Sequence, residues 1–296
     1  MKLGQSLLVI ILSVILATGA AYYVRGTLQN GGLGAPAKKE TRLEQIKRTG
    51  VIRCGYFTWP SYLEKNPKTG KMEGAFYDIA EEIGRQLKLK IEWTAEVATG
   101  QMLSDLELNH YDMVCGGFGA MPGRAREADF VGPIVYMPVH MFARKDDLRF
   151  ENNYARANKP DVTFSIMDGE FSAIGADENF PQAAKVAIPQ LSAITDLYVA
   201  VASEKADVVV EEPMSFADYD AANPGLLHKV AGGPMRVVAI SFPIPANEPA
   251  FKDTINTTIA YLHDSGFIDK VLKNHESKEK ALRVAKPYDI APEKKP

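Results

Sequence analysis

From residue 41 onward the apolar positions switch repeatedly between the alternating or continuous runs of strands and the three-to-four spacing of helices. Residues 50–56 read as a strand, 76–87 as an amphipathic helix, 90–96 as a strand, 101–109 as a helix and 111–115 as a short buried strand. Residues 133–144 form an extended run. A second alternation begins at Val162, with a strand to 167, a turn at Asp168 and Gly169, a helix over 173–179, a strand over 184–188, a helix over 194–204 and a strand over 206–212. Residues 235–242 are again extended, and 256–274 are strongly helical. Alternation of this kind calls for parallel sheets covered by helices on both faces, and ligands then bind beyond the carboxyl ends of the strands.

Ahead of this pattern lies an apolar run from Leu7 to Val24, preceded by Lys2 and followed by Arg25, which marks residues 1–25 as a targeting or anchoring segment. A cleaved secretory signal is the first reading. An uncleaved membrane anchor is the second, because the run approaches the ~20 residues that a spanning helix needs. Either route places the remainder outside the cytoplasm. Residues 26–40, with their Gly, Pro, Ala and Lys content, read as a flexible linker, and 281–296 as a C-terminal tail.

Composition narrows the partners. The 34 Lys plus Arg against 37 Asp plus Glu leave no basic excess for phosphate-backbone binding, so nucleic acid is excluded as a partner. A chain of 296 residues has room for two lobes of ordinary domain size. The two cysteines, Cys54 and Cys115, form no CxxC and the five histidines are scattered, so neither a zinc site nor a disulfide framework is indicated, and no metal or cofactor is expected. Both cysteines fall at the ends of strands expected to be neighbours; two buried thiols are the first reading, with a disulfide left open by the oxidising compartment.

Candidate chemistry is densest between Tyr111 and Tyr136. Gly116, Gly117 and Gly119 open the backbone, Pro122 suits the first turn of a helix, and Arg124 follows at once. Loop amides, a helix start and a guanidinium able to grip a carboxylate with two parallel hydrogen bonds would together make an anion site. The competing reading gives Arg124 a structural salt bridge to Glu127 or Asp129.

The same stretch, with Asp112 to Met121, Arg124 and then Asp129 to Tyr136, resembles the family 3 extracellular solute-binding proteins, the periplasmic receptors of polar amino acid ABC importers. Segments beginning at Thr41, Met72, Ser203 and Thr258 are similar to further motifs of that family, in the same order, so the resemblance spans residues 41–275. It implies an α/β, two-lobe periplasmic-binding-protein fold of type II, each lobe a mostly parallel sheet with flanking helices, joined by two hinge crossovers. Residues 41–143 with 235–280 would form lobe 1, and residues 144–234 lobe 2. The implied function is capture of a small polar ligand, an amino acid or related amine-containing carboxylate, between closing lobes, and its delivery to the membrane subunits of an ABC importer. A monomeric, non-catalytic protein of the periplasm is implied, free or attached to the inner membrane through the N-terminal segment.

The resemblance also implies site roles. Arg124 would grip the ligand's carboxylate beside the Gly117 and Gly119 loop. An acid at Glu212, with Glu211 adjacent, would take the amine, and Trp59 and Tyr62 would supply an aromatic platform. Read as residues alone, Glu211 and Glu212 are equally a solvated pair capping the helix that Pro213 starts, and Trp59 and Tyr62 equally packing residues.

Three departures from the family pattern bear on the ligand. The hydroxyl residue five positions before the arginine is Gly119 here, and the second lobe's "GTT" turn reads Gly169, Glu170 and Phe171. An acid at 170 would repel a carboxylate or welcome a cation, unless it faces solvent. Two rival functions stay open. One is a membrane-anchored ligand sensor or accessory binding subunit; the other is an enzyme similar to the cyclohexadienyl dehydratases, with a cleft acid such as Glu212 as general acid. No nucleophile, base and orienter set, GxSxG or metal cluster supports the enzyme.

Overall fold

Nearly every change of period in the sequence becomes a change of element in the computed structural model, which describes residue 18 and residues 40–59, 62–189 and 192–275. The targeting or anchoring segment apart from Thr18, the linker apart from Glu40, and the tail at 281–296 lie outside the described residues. The described residues from Arg42 onward form one compact unit. No helix among the described residues is long and apolar enough to cross a membrane.

Within this unit the chain runs α1 (Arg42–Thr49), β1 (Val51–Tyr56), the short pair β2 (Glu64–Lys65) and β3 (Met72–Glu73), α2 (Ala75–Leu87), β4 (Lys90–Glu96), α3 (Met102–Glu107) and β5 (Met113–Val114). Strands β4, β1 and β5 lie in that order, all parallel. Helix α2 covers this sheet because Phe76, Ile79, Ala80 and Ile83 recur at helical spacing and are all buried. Buried Asp112 ties the start of the sheet together: its carboxylate takes Arg42 and Arg53, each at 2.8 Å, and the Arg53 amide at 2.9 Å.

The second stretch runs β6 (Phe118–Gly119), β7 (Ala128–Arg144), β8 (Thr163–Met167), α4 (Phe171–Asn179), β9 (Ala184–Ile188), α5 (Thr195–Ala202), β10 (Val208–Glu211), α6 (Pro213–Ala222), β11 (Leu227–Lys229), β12 (Arg236–Pro245), α7 (Pro249–Asp264) and α8 (Phe267–His275). Strands β9, β8 and β10 are parallel, and the fully buried run of β10 is what a strand covered on both faces requires. The 17-residue β7 pairs antiparallel with β12 over residues 128–139 and then with β10 over 140–143. One strand therefore serves both lobes, while β12 runs back beside it, giving the two crossovers of a two-lobe type II fold.

Four local expectations are corrected. No α-helix follows Pro122; the chain makes a single 3-10 turn at Arg124–Arg126, because β7 already begins at Ala128 and leaves no length for a helix. The long C-terminal helix is two helices, broken where Gly266 takes a left-handed φ of 69°. The extended run begins at Ala128 rather than 133, drawn out by its pairing with β12. Cys54 and Cys115 are not thiols: they form a disulfide with Cα atoms 5.5 Å apart, since β1 and β5 pair at that level.

Candidate functional site

The carboxyl ends of β1, β4, β8 and β10, with the loop around β6, enclose a cavity of about 480 Å³. Trp59, Gly117, Gly119, Arg124, Glu170, Glu211 and Glu212 all line it. Tyr62 does not. It is 1 % exposed and packs its ring against Trp59 and Phe76, so it belongs to the core that backs the aromatic wall. The lining also holds residues that sequence reasoning passed over, among them Phe57, Glu96, Phe118, Ser215 and Asp218. Phe57 and Glu96 stand at the ends of parallel strands, where the strand-end rule points. Asp218 carries no such signal, since it projects from α6, where burial pushes its carboxyl up with Glu64 adding to the effect.

Arg124 sits on the 3-10 turn and not at a helix start, so the expected helix contribution to an anion site is missing. Its Nη1 donates to the Gly119 carbonyl at 3.3 Å, and its Nη2 donates to the Gly169 carbonyl. The same nitrogen lies 3.8 Å from Glu170 Oε2, and the guanidinium carbon stands 3.7 Å above the Phe118 ring. The proposed pairing with Glu127 or Asp129 does not occur; Asp129 instead pairs with Lys252 at 2.7 Å. Glu170 does not face solvent either, its side chain being 13 % exposed. Burial draws the Arg124 pKa below its ordinary value, with Glu170 and Glu211 acting in the opposite sense.

Glu211 ends β10, and Glu212 caps α6, a helix that Pro213 opens. The Glu212 carboxylate accepts from the Met214 amide at 2.6 Å and the Ser215 amide at 2.8 Å, so the capping reading holds. The solvated reading does not, because Glu211 and Glu212 are 2 % and 3 % exposed. Glu211 Oε2 accepts from the Glu212 amide at 3.1 Å, while buried Glu211 Oε1 has no hydrogen-bond partner. Burial pushes Glu211 well above the usual carboxylate range, helped by Glu212 and Glu170 and opposed by the Glu212 and Ser172 amides. Burial also raises Glu212, against which the Ser215 and Met214 amides and the Trp59 indole act.

The glycine loop is shaped by aromatic rings. Gly117 has a φ of +69°, and a Cβ there would lie 2.4 Å from the Phe76 ring. A Cβ at Gly119 would lie 2.8 Å from the Phe171 ring across the cleft. The two departures at 119 and 171 are thus one fitted contact. No cluster of metal-ligating side chains occurs among the described residues.

The sequence pattern of the bacterial extracellular solute-binding proteins, family 3, matches residues 54–278, and the chain belongs to that family. No curated protein matches the chain in sequence. In structure it is similar to an ancestral amino acid-binding protein, a precursor of cyclohexadienyl dehydratase, at 21 % identity and a TM-score of 0.68, covering 80 % of this chain and 100 % of that one. The solute receptor for L-cysteine of Neisseria gonorrhoeae is similar at 18 % identity and a TM-score of 0.68, over 83 % and 100 % of the two chains. A putative binding component of an ABC transporter from Wolinella succinogenes, complexed with lysine, is similar at 18 % identity and a TM-score of 0.66, over 76 % and 95 %. Identities this low show a shared fold.

Proposed function

We propose that the protein is an extracytoplasmic receptor that captures a small, polar, amine-bearing solute between its lobes and hands it to the membrane subunits of an ABC importer, amino acids being among the candidate solutes. The cavity carries the reading: its volume of about 480 Å³ suits a small molecule, and its walls come from strand ends on both sides of the crossover strands β7 and β12. Membership in a family of solute-binding proteins, and neighbours named for amino acid binding, support it. Residues 41–143 with 235–280 act as one closing body and 144–234 as the other, hinged at the crossover. Arg124 and Glu170 then meet from opposite sides, with Trp59 and Phe118 as apolar walls and Glu211 as the acid available to a ligand's amine.

A thermal-shift screen against amino acids, amines and small carboxylates tests the reading. A ligand at about 100 times its dissociation constant adds roughly 2.7 kcal/mol to stability, a shift that is easily read. Silence across the whole panel overturns the receptor. A dehydratase-like activity is the second reading, favoured by one observation: burial holds Glu211 toward its protonated form, as a general acid requires. Product formation on incubation with prephenate or arogenate would establish it, and its absence leaves the receptor.

A further inference from the structure

Arg124 is already engaged within the fold before any ligand's carboxylate arrives, with two of the five N–H donors of its guanidinium in use. Its two terminal nitrogens donate to the Gly119 and Gly169 carbonyls, Glu170 stands 3.8 Å away as a counter-charge, and the Phe118 ring covers one face of the guanidinium at 3.7 Å. The Phe171 ring fills the space over Gly119, so no side chain there can add a donor without moving it. Arg124 joins β6 to the turn before α4, and so ties the two lobes to each other.

The remaining ionisable side chains on the cavity wall are all acids, of which burial pushes Glu211, Glu212 and Asp218 toward the neutral form until a cation arrives to pair with them. Arg124 is the only cation among the described lining residues, against Glu96, Glu170, Glu211, Glu212 and Asp218. Within this set the acids are not equivalent. Glu96 accepts from the Thr58 hydroxyl at 2.6 Å, Glu212 is engaged by two helix amides, and Glu170 faces Arg124. Glu211 alone combines 2 % exposure with a carboxylate oxygen, Oε1, left without a hydrogen-bond partner, while the Glu212 and Ser172 amides act on the same group. A buried unpartnered acceptor beside a cavity asks for a donor from whatever enters, and a cationic nitrogen is the strongest donor of that kind. Phe57, Trp59 and Phe118 line the cavity with aromatic surface against which a cation's apolar stem can lie. A zwitterion would bring no net charge to offset these acids, and its carboxylate would enter a field of like sign.

We propose that the cleft selects an organic cation without an α-carboxylate, an amine or guanidine whose charged nitrogen pairs with Glu211, while Arg124 acts as a strut between the lobes. This rests on the receptor reading above and narrows its ligand class.

Matched pairs that differ only by loss of the α-carboxylate test it: ornithine and putrescine, lysine and cadaverine, arginine and agmatine, titrated calorimetrically into the full-length protein. In at least one pair the decarboxylated member should bind about tenfold tighter or better. Glu170→Gln should narrow that preference, by releasing Arg124 toward a carboxylate, and Glu211→Gln should weaken the amine about tenfold, with Glu211→Asp restoring part of the loss. Equal or tighter binding of the amino acid in every pair overturns the inference. So does failure of all six compounds. If another solute then registers in the thermal screen, the receptor stands and only the ligand class falls; if none does, both fall. Should Glu211→Gln not fold, the matched pairs and Glu170→Gln decide alone.

Discussion

Replacing Gly119 with Ala introduces a single methyl group where the Phe171 ring packs against the backbone across the cleft. That Cβ would lie 2.8 Å from Phe171 Cε1 and Cζ and 3.3 Å from Val238 Cγ1. Carbon atoms rest comfortably at about 3.5–4.0 Å, so the Phe171 ring has to withdraw by roughly 1 Å. Gly119 does not have a left-handed φ, so the backbone accepts alanine and the cost is one of contact alone. Overpacking inside a closed core costs about 1–3 kcal/mol, but here the strained partners stand on opposite walls of the cavity, where the ring has room to yield. The loss in global stability should therefore fall near the low end, about 1 kcal/mol, with the rest appearing as a more open cleft. Shortening the ring with Phe171→Ala removes the obstruction. A cycle of the two single variants and the double variant, measured by urea unfolding and by the radius of gyration in small-angle scattering, should show compensation of about 1–2 kcal/mol and recovery of the compact profile. Additivity within about 0.5 kcal/mol would refute the reasoning, since residues in contact across a fitted interface do not behave independently.

Three further outcomes are expected. Glu211 is raised by burial and faces Glu212, Glu170, Arg124 and the Tyr198 phenol; its folded-state pKa therefore exceeds the unfolded one, its stabilising share is complete below the ordinary carboxylate pKa, and it is lost as pH rises through the raised value. Thermal unfolding of the wild type should thus decline with rising pH in that window, and Glu211→Gln should flatten the decline; a wild type indifferent to pH would contradict the burial. Removing the Cys54–Cys115 disulfide by double Ala substitution opens a link across 61 residues and should cost about 2–4 kcal/mol in denaturant unfolding, whereas no loss would argue that the cross-link does not form in solution. Glu212→Ala strips the cap from α6 and should cost about 1–2 kcal/mol; a change in ligand affinity with stability untouched would instead make Glu212 the amine's partner.

Much of the architecture was legible because parallel strands and their covering helices write themselves as runs and stripes. The β4 segment, the β9 segment and the α2 stripe stand where their periods put them. What failed was local punctuation under competition from pairing. Pro122 is as acceptable in a turn as at a helix start, and the ladder between β7 and β12 claimed the residues from Ala128 that a helix would have used. Gly266 inside an otherwise helical run was readable as a break only in the light of its left-handed φ. The cysteines were correctly placed on neighbouring strands, although Cys54 stands within β1 and Cys115 just past β5, and whether two such groups bond depends on register, which period-two patterning does not encode. Among the site residues, type and strand-end position were legible, while the division of labour between Glu211 and Glu212 was not. It turns on which carboxylate the α6 amides consume, and either residue precedes Pro213 closely enough to serve.

The departures at 119, 170 and 171 have a meaning together that none has singly. Gly119 alone is a lost side-chain donor, Glu170 alone a misplaced acid, and Phe171 alone a ring on a turn. In the fold, Gly119 is the space that Phe171 occupies, and Phe171 follows the Gly169–Glu170 turn whose carbonyl and carboxylate both face Arg124. Each change makes the next one tenable: with a Cβ at 119 the Phe171 ring could not seat, and with the ring seated the guanidinium stands between the Phe118 and Phe171 rings. Restoring a hydroxyl at 119 by itself should therefore fail to recreate an anion grip, because the new side chain meets Phe171 and Arg124 remains held by Glu170. Gly119→Thr made together with Glu170→Thr and Phe171→Thr removes the ring and the counter-charge at once. Affinity for an α-amino acid that appears in the triple variant and in none of the single ones is the expected mark of a coupled set; affinity gained equally by Gly119→Thr alone would show that the three positions act independently.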